Sequence, residues 1–350
     1  MKKLFSFLLA AVMSLGMTAS AFASEKNTAL ALTVGDEDGL SLQGALLVPE
    51  TEYRFPLFLE ENGVSRPLTH GDMEQYDLTV TVSSGKGAMA EAGYLESGRQ
   101  MVLSLTGAAV SSAEPVTVSA RVTLRDKKGA ALSRLDLRWK VGYPAAEEES
   151  LGEVTRIDPA APVLTGAQLS KIESITGSAP ASFVGDGWQF DVRLLSSPAV
   201  NFALSTADIK AISEQWPEAD FSFFRFIGKP SFDFSGQLTL DASLFADETV
   251  CLYRYLDGVL YSLRFTDNGD GTLTVPTKSL GTYVISDQKI PNGTAVTGYQ
   301  PESGDDTENP PADKDNPSTG GTSSGIFAVL GSAVLFGIAL TLAQKRASRS

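Results

Sequence analysis

The chain has 350 residues, 28 lysines and arginines against 42 aspartates and glutamates, and a formal net charge of -14. A field of that sign argues against nucleic acid or anionic lipid as the main partner and favours solubility, cations or basic partners. A single cysteine, Cys251, excludes an internal disulfide, and a single histidine, His70, excludes zinc sites built from several Cys and His ligands.

In chain order, the first element is an export signal. Lys2 and Lys3 form a charged start, Leu4 to Met17 is mostly apolar, and Ala21, Phe22 and Ala23 place small residues at the A-x-A positions. This predicts a signal peptide over residues 1–23, cleaved before Ser24. A retained anchor helix fits less well, because the apolar core is short and the cleavage triplet is well placed. An exported chain without disulfides suits a Gram-positive bacterium better than a eukaryotic ectodomain.

Residues 24–145 read as a β-sandwich. Leu30, Leu32 and Val34 alternate with small or polar neighbours, as do Tyr76, Leu78, Val80 and Val82. Tyr53, Phe55, Leu57 and Leu59 form another such run. Val116 to Leu124, the turn at Asp126 to Gly129, and Leu135, Leu137, Trp139 and Val141 predict a hairpin. Period-two alternation hides one face of each sheet against the other. The Cys, Trp, Cys pattern of true immunoglobulin domains is absent.

Three glutamates at 147 to 149 mark an acidic linker, residues 146–155, with nothing to bury. Residues 156–290 read as a second β-sandwich carrying one short helix. Trp188, Phe190, Val192 and Leu194 alternate as a strand. The helix is expected from Ser205 as N-cap, with Asp208 three residues on, Ile209, Ile212 and Trp216 on one face, and Pro217 as its stop. Phe221 to Phe226 and Phe232 to Leu244 return to extended structure. Asp257 and Gly258 then turn a hairpin between Val250 to Leu256 and Val259 to Phe265. A turn at Asp267 to Gly271 leads into Leu273 and Val275, and Gly281 to Ser286 is the closing strand. Over about forty residues this region is similar to sandwich domains of clostridial surface proteins, which often end on a Tyr-Val-Ile strand after an acidic glycine turn. The fold class expected is therefore all-β, with two immunoglobulin-like β-sandwich domains.

Residues 291–315 shift to Pro, Gly, Asn, Thr and acids, a solvated spacer. Asn316, Pro317, Ser318, Thr319 and Gly320 follow, then an apolar run over residues 325–343, then Lys345, Arg346 and Arg349. Nineteen uncharged residues make a helix of roughly 28 Å, close to a bilayer's hydrocarbon thickness, with its cations on the cytoplasmic side. Pentapeptide, apolar span and basic tail in this order (residues 316–350) resemble the LPxTG sorting signal of Gram-positive surface proteins, here in an NPxTG form. The resemblance implies that a sortase thiolate attacks the Thr319 carbonyl and forms an acyl-enzyme, releasing Gly320. An amine of the peptidoglycan then takes the acyl group. Processing at both ends removes five cations and no acid, so -14 becomes -19. Eukaryotic glycolipid anchoring also uses a removable apolar tail but tolerates a basic terminus poorly.

Little in the sequence points to catalysis. His70 sits in a loop-like stretch and reads as a surface residue. Cys251 lies in the apolar run Val250 to Tyr253 and reads as a small core hydrophobe. Aligning Gly271 with the glycine of a calcium loop puts Thr266 and Thr277 where carboxylates are needed, so an ordinary turn is expected. The aromatic cluster from Phe221 to Phe234, with Trp216, reads as core before ligand platform. Asn201 and Lys229 are conceivable members of an isopeptide crosslink, without a supporting motif. Paired carboxylates for glycoside cleavage are not singled out.

The expectation is a non-enzymatic, cofactor-free, wall-anchored extracellular protein that binds a partner or builds the envelope. Its partners would be a sortase, peptidoglycan, the membrane before processing, and an extracellular ligand, with no nucleic acid. Alternatives are an accessory or basal pilin, a surface-displayed carbohydrate hydrolase, or a single-pass membrane protein.

Overall fold

A computed structural model describes residues 30–195, 198–245 and 249–299. The signal peptide with Ala21, Ala23 and Ser24, the NPSTG motif and the apolar span at 325–343 lie outside them. Among the described residues no helix is long and apolar enough to cross a membrane.

The first module contains β1 (Leu30–Val34), β2 (Leu46–Leu47), β3 (Glu52–Glu61), β4 (Val64–Pro67), β5 (Tyr76–Ser84), β6 (Met89–Ser97), β7 (Gln100–Gly107), β8 (Val116–Asp126) and β9 (Ala131–Val141). One sheet runs β1-β3-β7-β6 with β4 paired to β3, and the other runs β2-β9-β8-β5. Leu57, Leu59, Leu103 and Leu105 from the first meet Val118, Val122, Leu137 and Trp139 from the second in one core. The alternation expected of β8 and β9 holds: Val118 opposes Trp139, Ala120 opposes Leu137, and all four point inward. Asn62 and Gly63, both at positive φ, close the β3–β4 hairpin.

The second module contains β10 (Val154–Arg156), β11 (Val163–Leu164), α1 (Gly166–Thr176), β12 (Ala181–Gly185), β13 (Trp188–Val192), β14 (Val200–Asn201), β15 (Leu204–Ser205) and α2 (Lys210–Gln215). It continues through β16 (Phe221–Phe226), β17 (Ser231–Asp241), β18 (Cys251–Leu256), β19 (Val259–Ser262), β20 (Thr266–Asp267), β21 (Thr272–Ser279), β22 (Thr282–Ser286) and β23 (Thr294–Ala295). Its two six-stranded sheets run β10-β12-β13-β17-β21-β20 and β15-β16-β22-β18-β19-β23. The fold is thus all-β, built from packed sheets.

Phe221–Phe226 and Thr282–Ser286 carry apolar residues toward both faces of their sheet, and each face has a core to cover it. Phe224, Tyr283 and Leu252 face the main core. Phe223, Val284 and Tyr253 face a second cluster under α2, completed by Ile212, Ile290 and Val296. The strand expected to close the domain, Thr282–Ser286, is therefore central, between β16 and β18.

Four local expectations are corrected. Two α-helices are present among the described residues, not one. The missed helix, α1, is capped by Thr165 and Gln168, each side chain reaching the other's backbone N–H, and it buries Leu169 and Ile172. The expected helix starts later, at Lys210, because Ser205 pairs with Arg225 in the β15–β16 ladder and cannot serve as its cap. Ala146, read as part of a solvated linker, is buried in the second core, and Val154–Arg156 pairs with β12. The polar stretch from Pro291 is structured up to Tyr299: Val296 is buried and its N–H donates to the Gly258 carbonyl at 2.7 Å.

Candidate functional site

The residues singled out in the sequence are not brought together. His70 stands in a short 3-10 turn of the first module, exposed, with Nδ1 3.3 Å from Glu96 Oε2. Cys251 begins β18 in the second module, half-buried against the cluster under α2, beside the Tyr253 hydroxyl. Burial first, then the Cys251 neighbour, pushes the Tyr253 phenol up to about 12, against a stabilising N–H from Ile290. The carboxylates of the Asp267 to Gly271 turn serve the backbone: Asp267 accepts from the Gly269 N–H and Asp270 from the Thr272 N–H. Among the described residues no group of three His, Cys, Asp or Glu side chains is placed to hold a metal. Phe223, Phe224, Phe226 and Phe232 are buried, while Phe234 lies under the Arg193 guanidinium at 5.0 Å.

Asn201 has a role that sequence reasoning did not find. It is buried in β14, its Nδ2 donates to the carbonyls of Val110 and Ser112, and its Oδ1 accepts the Ala203 N–H at 2.9 Å. Val110 and Ser112 belong to the loop between β7 and β8, so one side chain clasps the two modules. An amide suits this because it donates and accepts at once. Within the second module, Gln168 Nε2 donates to the Ala146 carbonyl at 2.7 Å, which fixes the incoming chain against α1.

Beside this joint lies a cleft of about 330 Å³ lined from both modules. The first contributes Pro49, Glu50 and Tyr143; the second contributes Trp188, Phe202 and Ser205 among others. Trp188 stacks on Phe202 at 5.8 Å and meets the edge of Phe226 at 5.0 Å. Gly185 is required there, since a Cβ would run into the Trp188 indole. Glu50 holds a left-handed backbone (φ 61) while its N–H donates to the Gly107 carbonyl at 2.9 Å. Burial, with the Glu50 charge, pushes the Tyr143 phenol up to about 12, opposed by Arg225. The cleft thus offers an apolar floor, hydroxyls and an acidic rim, the usual composition of a small binding site. Its signal in the sequence was faint: prolines and aromatics spread over some 150 positions.

No family model matches the chain, and no curated protein matches it. Among solved structures it is similar to the SrpA adhesin of Streptococcus sanguinis, at 12% identity over 52% of this chain and 94% of that one, with a TM-score of 0.23. The C-terminal domain of the Streptococcus agalactiae AgI/II polypeptide BspA gives 8% identity, 73% and 89% coverage, and a TM-score of 0.17. Domains 4 and 5 of the S-layer protein SbsC give 13% identity and a TM-score of 0.22; the chain spans about half of that structure, 53%, using 33% of its own length. At these scores the fold rests on the sheets themselves.

Proposed function

We propose that the chain is an exported, wall-anchored, non-enzymatic surface protein whose two β-rich modules bind a partner or build the envelope. The observation that carries this reading is the order of NPSTG, a nineteen-residue apolar span and a basic tail, paired with an A-x-A signal at the other end. The geometry of the cleft supports binding over hydrolysis. Its carboxylates are Glu50 and Asp186, both exposed; Asp186 is 81% exposed at its side chain and 3.6 Å from Arg156. Neither carboxylate sits in a buried apolar setting of the kind a glycosidase's general acid occupies.

In this reading, Thr319 ends covalently attached to the wall. The test is fractionation of cells expressing the parent or Thr319→Ala. The parent should need a muralytic enzyme for release, and the variant should appear in the detergent-soluble membrane fraction. Release of the parent by detergent alone would make the chain a single-pass membrane protein instead.

A further inference from the structure

The outer face of the β2-β9-β8-β5 sheet departs from the charge of the rest of the chain. Arg134, Arg138 and Lys140 alternate with core residues along β9, Arg121 and Arg125 stand on β8, and Lys127 and Lys128 follow in the turn. Register places them together: Arg138 opposes Ser119, Lys140 opposes Thr117, Arg134 opposes Thr123, and Arg121 opposes both Asp136 and Thr81. Five cations on the outer face of β8 and β9, with two more in the turn that joins them, thus stand against three carboxylates, in a chain whose net charge is -14.

Those carboxylates are already engaged. Asp136 takes Arg121 at 2.7 and 3.2 Å, Asp77 takes Lys127 at 2.7 Å, and Asp126 Oδ1 accepts the N–H groups of Lys128 and Ala130. Arg134, Arg138 and Lys140 are exposed and have no carboxylate within 4.0 Å among the described residues. Arg138 and Lys140 are successive outward residues of β9, and Asp136, the carboxylate between Arg134 and Arg138, is taken by Arg121, so the face keeps an excess of positive charge that an external polyanion can neutralise.

We propose that this face docks a linear anionic polysaccharide. From Arg134 to Lys140 the outward positions of β9 span roughly 20 Å and carry three cations and Asp136, which Arg121 engages, a length that suits an extended polyanion and not a single phosphate. Hydroxyls of Thr81, Thr117 and Ser119 interleave with them as partners for sugar oxygens. No aromatic side chain stands among these residues, so nothing on the face stacks nucleic-acid bases. The exposed large hydrophobe nearby is Leu132, one residue, too little to seat in a bilayer. This inference does not depend on wall anchoring.

The test uses the full chain purified in mild detergent, with alginate as the uronate probe and neutral dextran, single-stranded DNA and anionic phospholipid vesicles as comparators. Alginate should bind in low salt and dissociate as salt rises, and dextran should not bind. The triple variant Arg134→Glu, Arg138→Glu, Lys140→Glu should weaken alginate binding roughly tenfold or more, while Lys210→Glu with Lys278→Glu on the second module should change it by less than about twofold. Should the charge reversal unfold the module, the same three positions as Gln serve, with a smaller loss of the same sign. Absence of alginate binding, equal loss in both variants, or tighter binding of DNA or vesicles would overturn the proposal.

Discussion

Asn201 donates its Nδ2 to the carbonyl oxygen of Val110 at 3.0 Å, across 91 positions of sequence and from one module to the other. The bond is buried, so both groups have given up water for each other. Val110 itself belongs to the first core and Phe202, next to Asn201, to the second. The clasp therefore ties the two cores through adjacent residues.

Asn201→Ala should leave the Val110 carbonyl buried without its donor and cost about 1–3 kcal/mol. Thermal unfolding and mild proteolysis of the full chain report it. We expect a lower midpoint and faster cutting between residues 108 and 115. An unchanged midpoint with unchanged cutting would show that the clasp contributes nothing.

Acid should weaken the first module through Asp72. Its carboxylate accepts Arg66 at 2.7 and 2.9 Å, and this pairing first, with the Thr69 N–H and hydroxyl, lowers its pKa to about 2. A depressed carboxylate stabilises above its unfolded value and loses that contribution as pH falls from 3.8 toward 2. The side chain is only 12% exposed, so the contribution at neutral pH is at most about 2 kcal/mol. Asp72→Asn should abolish this acid-dependent component in denaturant titrations; a parent and variant with parallel pH profiles would contradict it.

Alkali should act at the cleft through Tyr143. Its phenol ionises at about 12 in the fold against 10.0 for the free group, so the neutral form is favoured and stability falls as pH rises from 10 through 12. The phenolate absorbance difference between the parent and Tyr143→Phe should show one tyrosine titrating late. A difference curve centred near 10 would remove the electrostatic account of this site.

Gly236→Ala should destabilise the second module. A Cβ at this position would lie 2.5 Å from the Asp191 carbonyl and 2.7 Å from the Phe190 ring, beside an irregularity in the β17–β21 ladder. Backbone and a buried ring yield little, so the expected cost is about 1–3 kcal/mol in chemical unfolding. A neutral substitution would mean that the ladder shifts freely there.

Sequence alone determined the strands whose chemistry is local. The β8–β9 hairpin was legible because period-two alternation survives in both strands, and Asp257-Gly258 because both residues adopt positive φ (49° and 78°). Asn62-Gly63 carried the same signal and went unread, as did the Thr165-x-x-Gln168 capping box before Leu169 and Ile172. Phe221 to Phe226 was legible as a strand but not as one packed on both faces, since its phenylalanines do not say what covers them.

Tertiary structure alone decided the rest. Whether Ser205 caps a helix or joins a ladder depends on Arg225, twenty residues away. Nothing around Asn201 announces that its amide will meet Val110, and nothing around Pro49 or Tyr143 announces Trp188. Hydrogen bonds and clefts between modules are made by residues with no sequence neighbour in common, so local periodicity carries no trace of them. The charge of the β8–β9 face stands between these cases: the cations are plain in the sequence, but only strand register puts Arg121, Arg134, Arg138 and Lys140 on one surface.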